Sequence, residues 1–427
     1  MFKKSMLDIN LIRNNPEVVR SDLEKRGDKE KLLWIDEILE LDREWRKLKS
    51  KTDELRHRRN KVALEIGILK KEGKDASEKI KEAAEIPKEI EKLEEEMKSK
   101  REKIDYYLKR LPNILHESVP VGEENVPVKF VGEKPEFDFE LKSHIDLVES
   151  LNIGDFERAA KISGSRFFFL KGKLTVLDLA LQYYAMEFML RRGYKPIYPP
   201  YMMNRKAYEG VTDLRDFEDV MYKIEDEDLY LIATSEHPLT AMYMNEILNP
   251  EDLPIKYCGI SACFRKEAGT HGRETKGLFR VHQFNKIEQI VICEPEESWE
   301  YHEELLKNAM DLFESLKLHF RVVNICTGDI GTVAAKKYDI EVWMPVQREY
   351  REVVSCSNCT DYQARRLNIK YRTKEGNKFV HTLNSTCIAT TRALVAILEN
   401  FQTPDGSITV PEVLRKYTGF KKIEKEK

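Results

Sequence analysis

Apolar and aromatic residues recur at Ile38, Leu41, Trp45, Leu48, Leu55, Val62, Ile66 and Leu69, with Thr52 and Arg59 filling the gaps in an alternation of three and four. A second run, Ile86, Ile90, Leu93, Met97, Ile104, Tyr107 and Leu111, keeps the same rhythm, with Lys100 as its polar interruption. A period of ~3.5 residues marks a coiled-coil seam rather than the broader stripe of a surface helix. Between the runs, GILKKEGKDAS supplies Gly67 and Gly73 as breakers, so the two helices are expected to fold back antiparallel. Pro87 is expected to kink the second helix or delay its regular start. At ~1.5 Å per residue, about 32 residues make an arm roughly 48 Å long, too long to pack wholly against a globular body.

Beyond the arm the pattern changes. LPNILHESVPVGEENVPVKFVG, Leu111 to Gly132, is punctuated by proline and reads as a linker, which sets expected boundaries of 1–112, 113–132 and 133–427. The last region offers short β-rich runs, SRFFFLKG and LYLIATS, and a long hairpin made of KYCGISACFRKE and LFRVHQFNKIEQIVIC. It also offers an amphipathic helix, LDLALQYYAMEFMLRRG, and a second helix at EESWEYHEELLKNAMDLFESL. Strands follow strands with few helices between them, which predicts an α+β fold: a mostly antiparallel sheet flanked by helices. The lysine-rich tail FKKIEKEK reads as frayed.

Composition adds limits. A chain of 427 residues has room for two or three domains, and its 41% hydrophobic content suffices for a large core. Charged residues make up 34%, concentrated at the N-terminus, and the net charge of −3 does not exclude nucleic acid because charges of opposite sign segregate between faces. The seven scattered cysteines read as reduced and mostly buried, which suits the cytoplasm. The start shows no signal-peptide core and no stretch reads as a membrane span, so a soluble protein with no membrane partner is expected. On the arm, RHRRNK (Arg56 to Lys61) and the tip KKEGK are basic. Two readings stand side by side: a solvated stalk, or an arm that grips a phosphate backbone.

The hairpin carries the chemistry. Arg265 and Glu267 lie two residues apart, placed on one face by a strand, and Arg280 and Phe284 share a face in the second half. A guanidinium binds phosphate bidentately and an aromatic face stacks on a purine, so the hairpin can hold a nucleotide although no GxxxxGK[ST] or strand-borne GxGxxG occurs. An ordinary hairpin with surface arginines fits the same residues. Three further places bear on the choice: GYKPIYPPYM, HTLNSTCIATTRALVAILEN with Arg392, and EVVSCSNCTDYQARR, where Glu352 and Ser355 suit a metal-bound phosphate. Cys356 and Cys359 form a CxxC with no second pair to complete a tetrahedral set, so no zinc is expected.

These segments together resemble the class II aminoacyl-tRNA synthetases, and among them the seryl-tRNA synthetases. RRGYKPIYPPY, FRKE with GLFRVHQF, and ATTRALVAILEN match the three class signatures, while TSEHPLT, HQFNKIE, EVVSCSNCTDYQARRLNI and HTLNST are similar to seryl-specific segments. The resemblance runs from about Leu7 to Phe420 and includes the N-terminal coiled-coil arm. Ala389, Thr390 and Thr391 replace the glycines usual in the third signature, which places the chain nearer the archaeal and eukaryotic branch, and Thr386 stands where bacterial relatives carry serine. The resemblance implies a serine–tRNA ligase using ATP and Mg²⁺, a homodimer, acting on tRNA(Ser) through its long variable arm and on tRNA(Sec) where present. A synthetase-like RNA-binding or carrier-protein-charging paralogue is the alternative. It further implies that Arg265, Lys266, Glu267, Val281, Phe284, Glu352, Val353, Val354, Ser355 and Arg392 bind ATP, with Arg265 and Arg392 catalytic and Glu352 and Ser355 holding Mg²⁺. Thr234, Ser235, Glu236, Glu288, Asn384 and Thr386 would bind serine, and Arg56, Arg58, Arg59 and Lys61 would touch tRNA.

Overall fold

The computed structural model describes residues 9–212, 220–267 and 276–425. The hairpin's glycine-bearing loop between Glu267 and Lys276, with His271, lies outside the described residues. The chain divides into two compact units, Met1–Ile114 and Leu115–Lys427.

In the first unit, α1 (Ile9–Asn14) and α2 (Pro16–Lys25) precede two long helices, α3 (Lys29–Lys71) and α4 (Ser77–Leu108). Asp28 caps α3 by accepting from the Lys31 amide, and Arg13 reaches α3 to donate from Nε to the buried Asp42 at 2.7 Å. The reversal is made by Gly73 alone, with φ +69°, while Gly67 lies inside α3, where its missing side chain does not end the helix. α4 starts at Ser77, its entrance held by Asp75 accepting from Ser77, and runs through Pro87. Partners across the pair descend on α4 as they ascend on α3: Glu44 with Lys100, Arg56 with Glu94, Arg58 with Glu82, Glu65 with Lys79. That order is the antiparallel coiled coil read from the heptads. Thr52 and Val62 are buried in the seam, Thr52 giving its hydroxyl hydrogen to Leu48 O at 2.9 Å, whereas Arg59 turns out to solvent although it holds a seam position. Among the described residues its guanidinium has no ion-pair partner, and its stem is long enough to leave the seam.

The second unit is built on an eight-stranded sheet. Its strands are β1 (Val126–Val131), β2 (Lys195–Ile197), β3 (Ile255–Phe264), β4 (Gln283–Cys293), β5 (Phe320–Asn324), β6 (Lys336–Met344), β7 (Glu349–Asn358) and β8 (His381–Ala389), in the order β1-β5-β6-β7-β8-β4-β3-β2. Every neighbouring pair is antiparallel except the β2–β3 edge. Three helices, α5 (Gly172–Leu190), α7 (Ser298–Ser315) and α8 (Thr390–Asn400), join their apolar residues to one face in a single core that includes Leu181, Phe313 and Leu394. A short helix, α6 (Glu236–Ala241), sits within a smaller second core with Tyr208, Ile290 and Ile292.

Four sequence expectations need correction. The proline-punctuated segment 113–132 is not a bare linker: Leu115 and Val119 pack with Val323 and Ile325, and β1 pairs with β5. Proline is tolerated in β1 because it is an edge strand with one unpaired side. SRFFFLKG and LYLIATS contribute only the two-residue strands Phe169–Leu170 and Tyr230–Leu231, outside the main sheet. The C-terminal segment is not wholly frayed, since Ile423 is fully buried and pairs with Ile408. Finally, α5 is not amphipathic: Val176, Leu179, Tyr183 and Leu190 are exposed opposite its buried face.

Candidate active site

β3, β4, β8 and β7 lie side by side, and residues of β4, β8 and β7, with Arg265 just past the end of β3, line one cavity of about 360 Å³. Alternation along β4 puts Phe284, Lys286 and Glu288 into it. At ~3.3 Å per residue, Phe284 and Glu288 lie about 13 Å apart along the strand. β3 ends at Phe264, so Arg265 and Glu267 stand past the strand end rather than on it. Both still line the cavity, helped by Glu267's positive φ of +50°. Arg265 is held from several sides: its Nε donates to Ala233 O at 3.3 Å, its guanidinium lies 5.2 Å from the Phe284 ring, and its carbonyl meets His282 Nδ1 at 2.8 Å. Arg280, before the start of β4, binds Glu267 at 3.2 Å.

β7 solves a geometric problem. Glu352 and Ser355 are three apart, so a regular strand would point them to opposite faces. The register with β6 shifts between Ile340 and Glu341, pairing Ile340 with Val354 but Glu341 with Glu352. Val353 is the extra residue, a β-bulge that brings both oxygen-bearing side chains to the cavity. Arg392, near the start of α8, crosses to Glu352, bonding its carboxylate at 3.2 Å and its carbonyl at 2.9 Å. Burial works to raise the Glu352 carboxyl, but the charges of Arg392, Lys337 and Arg265 outweigh it and hold Glu352 below its usual range. Asp339, opposite Ser355 in the register and accepting its hydroxyl hydrogen, is pushed up to about 8 by burial and then by the charge of Glu352. Two oxygen donors lining one cavity suit the habit of Mg²⁺, which takes one or two protein ligands and completes its shell with phosphate and water. Among the described residues no three His, Cys, Asp or Glu side chains converge as a metal set. Cys356 is buried in the core and Cys359 accepts from Asn384 Nδ2 at 3.6 Å.

The remaining expected residues divide. Thr234, Glu236, Asn384 and Thr386 line the same cavity, as do Val281 and the bulged Val353. Ser235 does not: it is fully buried, and a Cβ on Gly259 would come within 2.5 Å of its Oγ. That close approach lets β3 pack against the start of α6 and fixes the Thr234–Glu236 turn, with Ser235 facing the strand. Lys266 is exposed and Val354 belongs to the opposite core, as the alternation of a strand and its end requires. Glu236 is bonded by Gln363 at 3.0 Å, and burial first, then Glu288, raises it to about 7. Sequence reasoning missed Lys286 and His237, although the alternation from Phe284 to Glu288 already places Lys286 on their face. The unusual Thr390 of the third signature is fully buried and donates to Asn285 O at 3.3 Å, tying α8 to β4.

Such a sheet, with arginines at a strand end and a helix start around one cavity, is that of a class II aminoacyl-tRNA synthetase, and residues 221–401 match the tRNA synthetase class II core domain (G, H, P, S and T). Residues 6–115 match the seryl-tRNA synthetase N-terminal domain. The chain is 59% identical to the serine–tRNA ligase of Methanocorpusculum labreanum, over 96% of this chain and 98% of that one. A seryl-tRNA synthetase from Pyrococcus horikoshii, solved with ATP, superposes with a TM-score of 0.95 at 54% identity, over 98% and 100% of the two chains. The cytoplasmic enzyme of Naegleria fowleri, solved with AMP, gives 0.91 at 38% identity, over 99% and 100%. The chain belongs to the seryl-tRNA synthetases, ATP-dependent ligases that form seryl-tRNA.

Proposed function

We propose that this cavity joins L-serine to ATP and passes the seryl group to tRNA(Ser), and to tRNA(Sec) where a cell makes it. The observation that carries this is a single continuous cavity holding Arg265, Arg392 and Phe284 together with Glu288, Asn384 and Thr386. Adenylation needs no protein nucleophile; it needs the serine carboxylate and the α-phosphate brought in line, with their charge offset. Arg265 is placed to hold both, Phe284 to stack on adenine, and Glu267 with the Val281 backbone to meet the purine and its ribose. Arg392 would take the far phosphate of a bent ATP. Mg²⁺ held by Glu352 and Ser355 would offset the phosphate charge. Glu288 would pair the serine ammonium, with Thr234, Glu236, Asn384 and Thr386 around its hydroxyl, because a buried ammonium must be paired.

The arm supports the RNA half. Arg59 and Lys61 have no acidic partner among the described residues, whereas Arg56 and Arg58 are bound to Glu94 and Glu82. We assign the arm to the long variable arm of tRNA(Ser), the active assembly to a homodimer and the reaction to the cytoplasm; no described helix is long and apolar enough to cross a membrane.

Pyrophosphate exchange into ATP, run with each of the twenty amino acids, is the test. Exchange should depend on L-serine, and Arg265→Ala should lower it by about 10²–10³-fold in a protein that still folds. Exchange independent of serine, or an Arg265→Ala variant at the wild-type rate, would end this reading.

A further inference from the structure

Among the described residues Lys286 is the one cavity-facing lysine, and neither the class signatures nor the proposed roles account for it. Its side chain is 6% exposed, and Nζ lies 2.6 Å from Glu288 Oε2, whose own exposure is 2%. Both residues face the cavity from consecutive same-side positions of β4. The contact is short but off the line of a well-formed hydrogen bond, since Glu288 Oε2 has no hydrogen-bond partner of good geometry. A buried ion pair is costly to keep, and its desolvation commonly equals or exceeds its attraction. A lysine placed there purely for stability would be a poor choice. Lys286 and Arg265 also act together: both bear on Glu236, and both hold the imidazole of His237 down to about 3, after the larger effect of burial. Two cations and the Glu288 carboxylate therefore converge, beside a Glu236 raised to about 7.

We infer that Lys286 is a second binding residue for the amino-acid carboxylate, and that the Lys286–Glu288 pair is the protein's own copy of the substrate zwitterion, opened when serine takes its place. The ammonium replaces Nζ at Glu288, and the carboxylate takes Nζ together with the Arg265 guanidinium. The exchange trades one ion pair for two, so no buried charge is left alone at any stage. This also gives a reason for Lys286 to sit within reach of a carboxylate it binds imperfectly: a well-formed internal bond would compete with the substrate. The inference rests on the reading of this cavity as the serine site.

The test compares L-serine with L-serinamide, which keeps the ammonium and hydroxyl but carries no carboxylate, by calorimetric titration of the full-length protein without ATP. Wild-type protein should bind serine more tightly than serinamide. Lys286→Met should weaken serine tenfold or more while serinamide binds as before or more tightly, since Glu288 has lost its competitor. Lys286→Arg should keep most of the preference, and ATP affinity should be unchanged in both variants, which certifies the fold. Parallel weakening of both ligands would make Lys286 a structural residue and overturn the proposal, as would unchanged serine binding in Lys286→Met. Failure of wild-type protein to bind serine at all would instead remove the serine site itself.

Discussion

Ser235 and Glu236 follow one another in the chain, and a proton separates their behaviour. Glu236 titrates near 7 in the folded protein, against an ordinary value of 4.5, with burial as the chief cause. The folded state therefore keeps a proton that the unfolded chain releases. Stability is unaffected below about pH 4.5, falls as pH rises, and the full cost is reached above about 7, at most about 3 kcal/mol. Glu236→Gln should flatten that loss, measured as urea denaturation at about pH 5 and pH 8; equal losses in both proteins would place Glu236 outside this account. Ser235 needs no titration. Its hydroxyl is buried with no hydrogen-bond partner among the described residues, so Ser235→Ala should leave stability unchanged or raise it by up to about 1 kcal/mol, and leave the KM for serine alone. A large KM increase would return Ser235 to the pocket. Nothing in TSEHPLT distinguishes the two residues, because the difference is made by Gly259 on a strand that arrives later in the chain. Motif reading gave residue types, and the turn decided which of them faces inward.

At the scale of elements, the coiled coil was the most legible part, since a seam repeated over many turns leaves little else for those residues to do. Arg59 alone breaks it, and its exposure converts a packing position into a cation without an acidic partner among the described residues. If the arm grips RNA, removing Leu41 to Lys109 should leave serine-dependent pyrophosphate exchange near normal while tRNA charging collapses. In the full chain Arg59→Ala and Lys61→Ala should each weaken tRNA binding and lower the salt dependence by about 0.7–0.9 log unit per log of salt. Arg56→Ala should do less, because that guanidinium already shares its charge with Glu94. Charging by the armless protein at the full rate would leave the arm a stalk. Less legible were the short strands: SRFFFLKG and LYLIATS have strand-like composition, but tertiary packing leaves them two-residue pairings at the margin.

For the whole molecule, the informative surface is the outer side of α5. Val176, Leu179, Tyr183 and Leu190 form an exposed apolar stripe, with Tyr198, just beyond the edge strand β2, 74% exposed. An apolar stripe of that kind is expected to be covered by another chain, and a second copy is the commonest occupant. Sedimentation should give twice the 50.1 kDa chain mass at micromolar concentration, and Leu179→Arg should shift it toward the single-chain value. A monomeric wild type would assign the stripe elsewhere. The stripe is missed in the sequence because the helix reads there as amphipathic: its apolar residues run around all sides, and the sheet claims only one of them.

The extra residue at Val353 has a consequence for how this strand can change over time. A strand is a two-state clock, and one added residue advances it by half a period, so everything after Val353 keeps the opposite parity from everything before it. Substitutions at Val353 leave the parity untouched. Loss of one residue there would leave a regular strand with Glu352 and Ser355 two apart on the cavity face, whereas pairing Val353 into the ladder without a bulge would turn Ser355, Ser357 and Cys359 toward the core and Val354 and Cys356 toward the substrate. The facing of Ser355 therefore depends on the bulge being kept whole or removed whole, and not on which side chain Val353 carries.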